Sequence, residues 1–126
     1  MSGPLAFLEI APMSETEKRD SCLQKLVSAA RAIVTYQVGL PHGCKRIDGI
    51  LSTLRDLDKT EPVAHPVFGE YLNAIQEYPN GTERLHWNRD ALRERDVHLE
   101  AINRQFRDRL FDACYEIIDR FSPPAR

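Results

Sequence analysis

From Leu23 onward, apolar side chains fall at three- and four-residue steps: Leu23, Leu26, Val27, Ala30, Ile33, Val34 and Val38. That spacing keeps one side of a helix apolar and predicts an amphipathic first helix of about seven turns. Ser14 with Glu17 three residues on is the spacing of a capping box. Glu15, Glu17 and Asp20 crowd the first turns, where the helix dipole favours carboxylates. Gly39 is the expected left-handed residue that closes this helix, and Pro41 suits the first turn of the next. A second apolar stripe, Ile47, Ile50, Leu51, Leu54 and Leu57, completes an αα-hairpin. Gly43 and Gly49 either weaken this second helix by about 1 kcal/mol each relative to alanine or permit close approach of its neighbour.

Beyond Leu57 the stretch DLDKTEPVAHP predicts a polar connector, because Pro62 and Pro66 stop a continuing helix. PVFGEYLNAIQEY predicts a short third helix burying Val67, Phe68, Tyr71, Leu72 and Ile75. Pro79, Asn80 and Gly81 mark YPNGTERLHWN as a loop. Asn88 is the expected N-cap of a last helix running to Ser122, with a bend near Asp96 to His98, where the apolar pattern thins. The fold class is therefore all-α: a single-domain helical bundle over 14–126, preceded by an arm over 1–13. In that arm Leu5, Phe7, Leu8 and Ile10 pack against the helices or contact a partner.

A length of 126 residues suffices for a core without a metal or disulfide staple. The net charge of −2 names no partner, but its distribution is uneven. Between Asp56 and Glu83 stand Asp56, Asp58, Glu61, Glu70, Glu77 and Glu83 against one base, Lys59. The last helix carries seven arginines and eight acids, so a nucleic acid would meet no net positive stripe. No apolar run is long enough for a membrane span, and the start has no basic signal-peptide region, which points to the cytoplasm. Three widely spaced cysteines fit reduced, intracellular thiols.

His42-x-Cys44 raises two chemical readings, a nucleophile with its base or a pair of metal ligands. Residues two apart on a helix point away from each other, and a zinc site usually needs four ligands at recognisable spacing. Packing of Cys44 beside Ile47, with His42 exposed at a corner, is the expectation. Carboxylate pairs such as Asp56/Asp58 read as solvated faces, and no phosphate loop is present. No catalytic residue, metal or cofactor is therefore expected, and the chain is not expected to be an enzyme. Aromatics amid the acidic stretch suggest a protein contact instead. The candidate partner-binding residues are Asp56, Asp58, Glu61, Glu70, Glu77, Tyr78, Glu83 and Trp87.

Two stretches, ARAIVTYQVGLPHGCKRIDGIL and LHWNRDALRERDVHLEAINRQFRDRLFDACYEII, resemble a family of uncharacterised bacterial all-helical proteins. The shared features are a helix, a short turn and a glycine–cysteine–basic entry to the next helix. A W-N-x-x-A-L start to the last helix follows; the matching positions are Trp87, Asn88, Ala91, Leu92, Asp96 and Cys114. Where the family commonly has an HLPxG-like segment before the tryptophan, this chain has YLNAIQEYPNGTERLHW. Such proteins are often encoded beside polymorphic toxins. The resemblance implies an immunity-type protein that neutralises a cognate toxin domain by occluding its active site. The alternative is a homo-oligomeric helical adaptor, for which a homodimer is the simplest form.

Overall fold

In a computed structural model the chain is an all-α helical bundle, described over residues 14–57, 63–78 and 81–122, apart from the side chains of 81–83. Four helices follow in order: α1 (Glu15–Val34), α2 (Leu40–Leu57), α3 (Pro66–Ile75) and α4 (Arg89–Phe121). A 3-10 turn, Gly81–His86, precedes α4. The helices form a ring in which α1 packs on α2 and α4, and α3 packs on α2 and α4 from the other side. The arm over 1–13 lies outside the described residues.

The starts of α1 and α4 follow their local chemistry. Ser14 Oγ accepts from the Glu17 backbone N–H at 3.1 Å, and its hydroxyl donates to Glu17 Oε1 at 3.2 Å. The first bond occupies a backbone donor that a bare helix end leaves orphaned. Asn88 Oδ1 accepts from the Ala91 N–H at 2.8 Å, as expected of its position.

The corner between α1 and α2 departs from expectation. The helix ends at Val34, and Gln37 N–H and Tyr36 N–H reach back to the carbonyls of Ala32 and Ile33 at 2.9 and 3.1 Å. This is a Schellman closure, and its left-handed residue is Tyr36, at φ 60°, rather than Gly39. A non-glycine residue there costs about 1 kcal/mol. The ring, though 72% exposed, lies 5.8 Å from Phe111, a contact that offsets part of that cost. Gly39 serves the next element instead, its carbonyl accepting from Gly43 N–H at 2.9 Å.

The core is formed by Leu26, Ala30 and Ile33 of α1, Cys44, Ile47, Leu51 and Leu54 of α2, Phe68 and Tyr71 of α3, and Leu110, Cys114 and Ile117 of α4. Val63, in the connector that reads as polar, is 1% exposed and joins it. Tyr71 is fully buried; its hydroxyl donates to Asn103 Oδ1 and its ring meets Phe106 edge-on at 5.6 Å. A buried phenol needs such an acceptor.

The two α2 glycines do different things. A Cβ on Gly43 would lie 2.5 Å from Ile33 Cγ1, so only glycine lets α1 and α2 approach this closely. A Cβ on Gly49 would meet nothing within 4 Å. Gly43→Ala is therefore expected to destabilise the protein by about 1–3 kcal/mol through overpacking. Gly49→Ala is expected to stabilise it by about 1 kcal/mol through helix propensity. Denaturant titration of the two variants checks both signs.

Candidate partner-binding surface

At about 1.5 Å per residue, the 33 residues of α4 extend roughly 50 Å, while the 20 of α1 extend roughly 30 Å. Leu99 is the first α4 residue, counting from its N-terminus, that packs against the core. The turns from Arg89 to His98 therefore project past the core. The helix runs unbroken through Asp96–His98.

Polar pairing takes over where apolar packing stops. The guanidinium of Arg84, on the 3-10 turn, donates to both carboxylate oxygens of Asp96, at 2.7 and 2.8 Å. This two-point geometry holds a guanidinium in plane with a carboxylate. The same bond holds the Asp96 carboxyl below its ordinary value and raises Arg84 further. The pair is intact above the usual carboxylate range and is lost as falling pH protonates Asp96. Next to it, Arg95 lies 5.6 Å from the ring centroids of both Tyr78 and Trp87. Its guanidinium thus ties α4 to the end of the α3 segment and to the residue after the 3-10 turn.

The result is a ledge of half-buried Tyr78 and Trp87, with Leu85, 83% exposed, two residues before the tryptophan. Trp87, Ala91, Glu94, Arg95 and His98 line a groove of about 370 Å³ along it. Its chemistry is mixed in charge and aromatic in the middle. A larger groove, about 520 Å³, opens on the far side between α1 and Phe121, with Leu23, Val27 and Arg31 among its lining. It is the bigger concavity, but the ledge has the aromatic and arginine side chains typical of strong protein contacts.

The residues singled out from the sequence are spread over this frame. Tyr78 and Trp87 come together through Arg95. Glu77 is exposed one residue before Tyr78. Asp56 is exposed near the end of α2, and Glu70 on α3 accepts from Arg109 at 2.6 Å, sharing its charge with α4. Asp58, Glu61 and the Glu83 side chain lie outside the described residues. Arg84, Leu85 and Arg95 escape sequence reasoning, and Asp96 enters it only as a position shared with the resembled family, not as a partner of Arg84. Only Leu85, an isolated leucine in a polar loop, signals itself.

The opening chemistry of the His42–Cys44 corner resolves as packing. Cys44 is fully buried and His42 exposed. Burial, with Cys114 nearby, pushes the Cys44 thiol up to about 12, and burial alone does the same for Cys114. Burial thus favours the neutral thiol at both positions. Among the described residues no group of three or more His, Cys, Asp and Glu side chains could hold a metal ion. No described helix is long and apolar enough to cross a membrane.

Comparison with known proteins adds no relative: no protein-family model, no curated protein and no solved structure matches the chain.

Trp87 is the chain's single tryptophan and so reports on the ledge alone. Arg84→Ala or Arg95→Ala is expected to red-shift its emission and raise its acrylamide quenching about twofold or more, because half-buried indole becomes wet. Helix content by circular dichroism should stay nearly constant. An unshifted spectrum in both variants would show that the ledge does not depend on these contacts.

Proposed function

We propose that this protein is a cytoplasmic immunity-type binding protein that neutralises a cognate bacterial toxin by occluding its active site. The observation that carries a binding role is the tied ledge: Arg84 fixed on Asp96, and Arg95 by both Tyr78 and Trp87, with exposed Leu85 two residues before the tryptophan. A surface held in place before binding loses less freedom on association, so more of its contact energy appears as affinity. Tryptophan and arginine are the side chains that most often dominate such contacts. Exposed Glu77, next to Tyr78, would steer a basic active-site cleft toward this end of the molecule and speed encounter, whereas Asp56 lies toward the other end of α4, beside Arg55 and the cavity of His65. The toxin as partner comes from the sequence resemblance alone.

A second reading, a homo-oligomeric adaptor, is favoured by one feature. Exposed Val97 and Ala101 share an outward stripe of α4, beside a shallow groove of about 440 Å³. Sedimentation separates the readings, since a tight dimer supports the adaptor and a monomer the immunity protein.

The direct test is co-expression with the protein encoded immediately upstream, expected to be a long secreted protein ending in a small toxic domain. Growth should be restored by the wild type. Trp87→Ala should weaken the complex by about 30-fold or more, the loss typical of a central tryptophan. Lysine at Asp56, Glu77 and Glu83 together should slow association and lower its salt sensitivity. Full protection by both variants would remove the ledge and the acids from the mechanism.

A further inference from the structure

α3 begins at a histidine whose burial favours the neutral imidazole. His65 is the N-cap of α3, and its side chain makes no capping bond. Its carbonyl accepts from Phe68 N–H at 3.4 Å, and its ring meets Phe68 edge-on at 6.3 Å. Among the described residues, His65 Nε2 is a buried polar atom with no protein partner. Such an atom is uncommon in a folded protein and calls for an explanation. It borders a cavity of about 240 Å³ between α2 and α3, lined also by Asp48, Arg55 and Gly69.

Charges face this ring from both neighbouring helices. Asp48 and Arg55 of α2 line the cavity, and Glu116 and Arg120 of α4 act on the imidazole from the other side. Each helix thus contributes one acid that favours the proton and one base that opposes it. On α3 itself Glu70 is engaged by Arg109. With the charges opposed in pairs, burial decides, and burial disfavours imidazolium.

We propose that His65 makes the seat of α3 an acid-operated latch, closed while the imidazole is neutral and opening over residues 63–71 when it takes up a proton. The partner proposed above plays no part in this. Burial holds the closed-state proton affinity below that of a free histidine. An open segment binds the proton more readily, so the closed state has its full advantage above the free-histidine value of about 6.5. That advantage is lost as pH falls through the lower, closed-state value. For every tenfold loss of proton affinity on closing, the open fraction rises about tenfold at the acid limit. Opening would withdraw Val63 and Phe68, which are 1% and 0% exposed, from the core. The rest of the ring, α1 with α2 and α4, keeps its own contacts.

Amide exchange of the full chain between pH 7.5 and 5, corrected for intrinsic rates, reads the latch directly. The Phe68, Glu70 and Tyr71 amides are expected to lose protection about tenfold relative to Leu26 and Ile117, and His65→Gln to abolish that selective loss. Equal loss across the molecule, or the same selective loss in His65→Gln, overturns the proposal. Should His65→Gln fail to fold, the imidazole ¹H resonance of His65 in the wild type decides. A midpoint below that of free histidine supports the latch. A midpoint at or above it means that water reaches Nε2 through the cavity, and the latch does not exist.

Discussion

The structure depends on a mismatch of length. Four helices of 20, 18, 10 and 33 residues share one core, and a core can cover only as much of the longest as the others reach. The α4 residues from Leu110 onward supply the buried face, including Leu110, Cys114 and Ile117. Leu99, Ile102 and Phe106 border the core, and the turns before Leu99 lie beyond it. A helix end left in water frays unless something else fixes it. Here the fixing is polar and aromatic, through Arg84–Asp96 and Arg95 with Tyr78 and Trp87.

The interior and the overhang divide the chemistry between them. Inside, the sulfur atoms of Cys44 and Cys114 and the hydroxyl of Tyr71 are buried, and burial pushes all three groups toward their neutral forms. Neutral thiols and a phenol bonded to Asn103 act as packing. Outside, the overhang displays guanidinium, carboxylate, indole and exposed aliphatic groups on a backbone held in one arrangement. Recognition is what such a surface can do, and the proposed immunity role is one form of it.

Much of the architecture is legible because burial imposes a period. Leu26, Ile33, Ile47, Leu51, Leu110 and Ile117 recur with the helical repeat because each has to face the same interior. Ser14 and Asn88 are legible for a local reason, since a cap acts within three residues. Tyr36 is not legible: Gly39 is the natural candidate for a left-handed position, but the closure falls three residues earlier. Val63 hides among polar neighbours because one inward residue has no period. The Arg84–Asp96 tie spans twelve positions and a change of direction, so no spacing rule reveals it. Acids that cluster between Asp56 and Glu83 in sequence separate in space, because the chain there passes from the end of α2 along α3 to the 3-10 turn.

The central claim is that the overhang is rigid without a core beneath it. Backbone ¹⁵N order parameters of the free, full-length chain test it most directly. Residues 89–98 should give values near the roughly 0.85 of rigid backbone, matching residues 106–117. Values falling below about 0.6 from Leu99 toward Arg89 would mean a frayed end, and the preformed surface would then not exist.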